Sequence, residues 1–220
     1  MKVRMFQRAA LAFALAVVLA SASSNGQGDV SSSATYCEPQ TGTKFLYSDR
    51  GYLILPKPAG AGPLQYSYLI LGTQRHVDRY GQLLFDDGSD RWAFESNPEG
   101  LKRLWPLTAR KRFELERYDR FTRVHAFVSF VVQGVEPIQV GGRTYASWKV
   151  RREDRLESGT ITTQTLWYSP QLCTLTAFTD SQERLVSLLR ILNPGDRDYN
   201  RSVVRRLHRL YFSDTNELVK

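Results

Sequence analysis

From Gly42 to Thr179 the chain is a succession of short β-type runs broken by turn residues, and this punctuation constrains the fold more than any other feature. Runs of roughly four to eight residues rich in Val, Ile, Thr and aromatics, bounded by Gly, Pro, Asn or Asp, read as strands. Lys44–Ser48 and Tyr52–Leu55 flank the turn Asp49-Arg50-Gly51, and the loop Pro56–Pro63 admits no strand. Leu64–Leu71, Gln82–Phe85 and Arg91–Glu95 follow, the last two joined by Asp86-Asp87-Gly88. A break at Ser96–Leu107 separates these from longer runs: Lys111–Tyr118, Thr122–Val132, Gly134–Val140, Thr144–Arg152, Thr160–Tyr168 and Leu172–Thr179. Lys111–Tyr118 alternates, with Phe113, Leu115 and Arg117 on one face; Val124, Ala126, Val128, Phe130 and Val132 share a face of the next run. Arg184–Leu192 reads as a strand or a short helix. There is no βαβ alternation and no fixed-period repeat, so the expected fold is all-β and mainly antiparallel: a curled sheet, a partly open barrel or a sandwich.

The two ends differ from this middle. Basic Lys2 and Arg4, an apolar run from Ala9 to Ala20 and the small-residue exit Ala20-Ser21-Ala22 form the three parts of a cleavable signal peptide. The apolar run is short against the roughly 20 residues that cross a bilayer. The organisation expected is therefore signal peptide 1–22, flexible polar leader 23–36, β domain 37–192 and C-terminal helix and tail 193–220. Export also frames Cys37 and Cys173, the only cysteines. In an oxidising compartment an isolated pair is expected to form a structural disulfide.

After Asn193-Pro194-Gly195, arginines recur at 197, 201, 205 and 209, with Val203, Val204, Leu207, Leu210 and Tyr211 on the opposite arc. That pattern predicts an amphipathic helix. Arg197, Arg201, Arg205 and Arg209 are the candidate contact with an anionic surface of lipid or phosphorylated glycolipid. The formal net charge of +8 is also uneven: Arg110, Lys111, Arg112 and Arg117 form a candidate basic patch, interleaved with aromatics. In a cytoplasmic protein this would point to nucleic acid; export points instead to envelope partners.

The motifs of catalysis and metal binding are missing. His76, His125 and His208 are scattered, HExxH and CxxC are absent, and no GxSxG or SxxK marks a nucleophile. His125, in an apolar run, reads as a satisfied core or edge histidine. Asp86-Asp87-Gly88-Ser89-Asp90 lacks the calcium-loop spacing and reads as a turn. No metal and no cofactor is expected.

Gly42-Thr43-Lys44-Phe45-Leu46-Tyr47, Trp105-Pro106-Leu107, Val140–Tyr145 and Leu166-Trp167-Tyr168-Ser169-Pro170-Gln171-Leu172 resemble motifs of a loose group of exported proteobacterial β-proteins of unknown function. The resemblance implies a periplasmic antiparallel β fold and carries no catalytic residue. The function expected is a non-enzymatic periplasmic envelope protein. It would bind an apolar or amphipathic ligand (lipid or glycolipid) in a concave face, or an envelope protein, with peripheral membrane contact and no nucleic acid. Two alternatives stand beside it. One is a hydrolase of an envelope polymer, with carboxylates such as Glu114 or Asp154 converging in a cleft. The other is a secreted effector or inhibitor working through the basic hairpin.

Overall fold

The computed structural model describes residues 32–40, 42–48, 53–56, 66–70, 73–77, 80–84, 98–118, 123–180 and 182–199. The signal peptide, the run Arg91–Glu95, the Asp86–Asp90 turn and the chain after Tyr199 lie outside them. Among the described residues twelve strands run in order: β1 (Ser33–Ala34), β2 (Lys44–Tyr47), β3 (Leu53–Pro56), β4 (Tyr66–Ile70), β5 (Thr73–Val77), β6 (Leu107–Thr108), β7 (Arg112–Tyr118), β8 (His125–Val140), β9 (Arg143–Leu156), β10 (Ile161–Ser169), β11 (Thr174–Thr179) and β12 (Leu185–Leu192). A 3-10 turn at Gly81–Leu84 and helix α1 (Pro98–Lys102) precede β6. Ten strands form one antiparallel sheet in the order β5-β4-β3-β2-β12-β11-β10-β9-β8-β7, and β1 pairs with β6 separately. Among the described residues β5 and β7 do not pair, so the sheet is curled but not closed.

The turns follow local chemistry. β8 and β9 meet at Gly141-Gly142, with φ of 55° and 81°. Two consecutive positive φ values are what a two-residue hairpin of matching twist requires, and glycine adopts them without steric cost. The tip of this long hairpin curls back across the sheet: a Cβ placed on Gly141 would sit 3.6 Å from the Leu189 carbonyl of β12. Pro137 lies in β8 beyond the stretch paired with β7, where a missing N–H faces no described strand.

The core lies on the inner face. Val128, Phe130 and Val132 of β8, Val150 of β9, Leu166 and Tyr168 of β10, Phe178 of β11 and Val186 and Leu188 of β12 are all buried. A plug fills this face: Leu83 from the 3-10 turn, Leu101 from α1, and Leu104, Trp105 and Leu107 join the same core. The disulfide Cys37–Cys173 fastens the N-terminal segment beside the plug, and Gln82 Nε2 donates to the Cys37 carbonyl at 3.2 Å. Tyr36 packs on Tyr80 and Trp105 (centroids 4.4 and 5.4 Å), and Trp105 on Tyr168 (4.8 Å).

Several expectations need correction. Gln82–Leu84 is a buried 3-10 turn, because these side chains pack on the core rather than alternate. Thr73–Val77, between two of the runs read as strands, is a further strand paired with β4. The run Thr122–Val132, from His125 onward, and Gly134–Val140 form one strand, since a bulge at Gln133 carries the chain through Gly134. Arg184–Leu192 resolves as a strand. The ordered body also starts before Cys37: Ser33 and Ala34 pair with Thr108 and Leu107, and Ala34 is buried.

Candidate functional site

The sequence-derived site residues separate in space. Cys37 and Cys173 are bonded, with Cα atoms 5.2 Å apart. Of the basic hairpin, Arg110 and Arg112 are exposed. Lys111 is tied down: its Nζ donates to the Arg103 and Pro106 carbonyls at 2.9 Å each, and burial lowers its pKa. Arg117 is buried on the inner face, 3.7 Å from Asp154. The four-residue basic surface is thereby corrected; alternation in β7 turns every second side chain inward, and Arg117 follows Phe113 and Leu115. Arg197 is exposed in a 3-10 turn at Arg197–Tyr199, while Arg201, Arg205 and Arg209 lie outside the described residues.

The two carboxylates named for hydrolysis do not converge. Glu114 stands opposite Ser129, and Asp154 opposite Val128, on opposite faces of the sheet. Asp154 is held by the buried Arg152, with Nε and Nη2 donating at 3.0 and 2.5 Å. His125 begins β8 opposite Tyr118, its Nδ1 2.6 Å from Glu116 Oε1. Among the described residues no group of three or more His, Cys, Asp or Glu can hold a metal ion.

A different cluster stands on the outer face, and two sheet irregularities build it. In β8, Val132 faces Val150 but Gly134 faces Lys149, so β8 advances two residues while β9 advances one. Such a bulge reverses the alternation beyond it and re-aims side chains. Before the bulge, even-numbered residues of β8 point inward; after it, Glu136 points outward. The Gly134 φ of 152° is accessible in practice only to glycine. A second shift lies between Trp167 and Tyr168, where β11 carries the extra residue Thr176. Both irregularities meet at one place. Glu136 Oε1 accepts from Lys149 Nζ at 2.9 Å and Oε2 from Trp167 Nε1 at 2.8 Å. Lys149 Nζ stands 5.5 Å from the Trp167 ring centroid. Thr176 Oγ1 lies 2.8 Å from Ser147 Oγ and 3.1 Å from the Trp167 carbonyl. The hydrogen bonds from Trp167 and Lys149, with the Lys149 charge, lower the Glu136 pKa against the opposing effect of burial. The space beside the cluster is open, since a Cβ on Gly134 would meet nothing within 4 Å. The sequence marks Trp167 only within the motif Leu166–Leu172 and does not reveal its partners. The available signal was a glycine interrupting the alternation of a long apolar run.

No family model and no curated protein matches the chain. Two solved structures are similar to it. The hypothetical lipoprotein YmcC from Escherichia coli K12 aligns with TM-score 0.46 and 9% identity, over 72% of this chain and 90% of that one. A protein from Bacteroides fragilis NCTC 9343, described as exported and with a YmcC-like fold, aligns with TM-score 0.34 and 14% identity, over 73% of this chain and 100% of that one.

Proposed function

We propose that this is a periplasmic, non-enzymatic envelope protein that engages its ligand or partner on the outer surface of the sheet. The observation that carries the reading is the filled inner face. Leu83, Leu101, Leu104 and Leu107 are each at most 1% exposed. Burying such a side chain contributes about 1.5–3 kcal/mol. Vacating the face for an apolar ligand would therefore forfeit on the order of 10 kcal/mol, comparable with the whole stability of a domain. This packing disfavours carriage of a lipid in the interior of the concave sheet and favours contact on its outer surface. Export is supported by the leader pattern and by a disulfide that an oxidising compartment maintains. Contact rather than catalysis is supported by the separation of Glu114 from Asp154.

Photo-crosslinking in the envelope tests this. A photoreactive residue at Phe127 or Thr165, on the outer face, is expected to form adducts, and one at Leu101 or Leu104 is not. Adducts confined to the interior positions would reject surface contact.

A further inference from the structure

We infer that the Glu136–Lys149–Trp167 cluster is a binding site for a neutral saccharide, such as the sugar portion of a glycolipid or an envelope polymer. The inference rests on the surface-contact reading and names the ligand class for that surface. Three features carry it. The first is construction: the register shift in β8 brings Glu136 to the face of Lys149 and Trp167, and a second shift, in β11, places Thr176 Oγ1 3.1 Å from the Trp167 carbonyl. Without the β8 bulge Glu136 would point into the core, so the irregularity has a specific consequence at this spot.

The second is complementarity. A sugar ring offers an apolar C–H face and a rim of hydroxyls. Trp167 supplies a partly exposed aromatic body with a fixed polar edge. Glu136 uses one lone pair on each oxygen and keeps others to accept from hydroxyls; Lys149 keeps donors beyond the one given to Glu136. The bare backbone at Gly134 leaves room beside them. The third is charge. Glu136 and Lys149 neutralise each other at 2.9 Å, so the site does not select a phosphate or carboxylate by net charge. A hydroxyl-rich neutral ring fits an ion pair that presents acceptor and donor side by side.

The test is titration of the isotope-labelled, oxidised protein, following the indole N–H resonances, with that of Trp167 assigned through Trp167→Phe. The probes are neutral oligosaccharides (an N-acetylglucosamine oligomer and a glucose oligomer), with inorganic phosphate and a uronic acid oligomer as charged comparisons. A neutral oligomer is expected to shift the Trp167 indole resonance at millimolar concentration. Trp167→Ala should abolish binding, and Glu136→Gln or Lys149→Met should weaken it about tenfold, a loss of about 1.4 kcal/mol. Arg112→Ala should leave it unchanged. Binding of the charged probes alone, or neutral binding that ignores Trp167→Ala in a variant with native circular dichroism, would overturn the assignment. So would the absence of any shift. If titration fails while outer-face crosslinks persist, the saccharide is wrong and surface contact stands; interior crosslinks would remove both.

Discussion

Neighbouring residues of β9 offer a sharp test of the face assignment, because Glu153 and Asp154 carry the same charge into opposite environments. Asp154 on the inner face pairs with Arg152, which is 1% exposed, and lies 3.7 Å from Arg117, which is 3% exposed. Asp154→Asn removes the carboxylate charge that Arg152 and Arg117 share on the inner face, and breaking a buried pair costs about 3–5 kcal/mol. Glu153 on the outer face bridges Arg151 and Arg155, each at 3.4 Å, with arginine side chains 51% and 62% exposed. Pairs this wet contribute about 0–1 kcal/mol. Asp154→Asn should thus lower the melting temperature by roughly 6–20 °C, and Glu153→Gln by no more than a few degrees, for a domain of this size. Urea unfolding of the oxidised protein, checked by calorimetry, reads both. Comparable losses from the two variants, or the larger from Glu153→Gln, would refute the placing of Asp154 in sealed and Glu153 in solvated surroundings.

Further outcomes follow from other parts of the molecule. The disulfide spans a sequence separation of 136, so loop entropy predicts that Cys37→Ala with Cys173→Ala costs about 5 kcal/mol; denaturant unfolding would measure it, with a steeper slope as the unfolded chain expands. Gly134→Ala meets no steric neighbour, so its cost is conformational alone, about 1–3 kcal/mol, and calorimetry should find it without loss of fold. Burial raises the phenolic pKa values of Tyr47 and Tyr168. The unfolded chain then loses protons first, and stability should fall as pH rises beyond about 10, with both phenols titrating in near-ultraviolet absorbance only as the protein unfolds. Burial works to raise the Asp180 pKa, but the Arg184 side chain and the Arg184 and Gln182 backbone N–H groups outweigh it and hold it below the usual range. The unfolded state binds the proton first there, so stability should fall as pH drops below about 4, and Asp180→Asn should flatten that acid limb.

Much of the scaffold was legible residue by residue. The alternation Val128, Phe130, Val132 placed one strand face in the core, Gly141-Gly142 marked a hairpin, and the lone cysteines found each other. Alternation even put Arg117 beside Phe113 and Leu115, although its charge argued for the surface; the inward-facing Asp154, far along the chain, resolves that conflict. What stayed hidden depends on phase. A single extra residue, Gln133, shifts the phase just before Gly134 and turns Glu136 outward, so no periodicity could assign Glu136 to the face of Trp167. Gln82–Leu84 misled for a related reason, since a short apolar run looks alike as a buried strand and as a buried turn.

The central claim, that the curved sheet is packed solid by its own chain and meets its ligand outside, can be weighed directly. Native mass spectrometry of protein released from the envelope without detergent should give the bare oxidised polypeptide. A stoichiometric lipid that stays bound until the protein unfolds would contradict it.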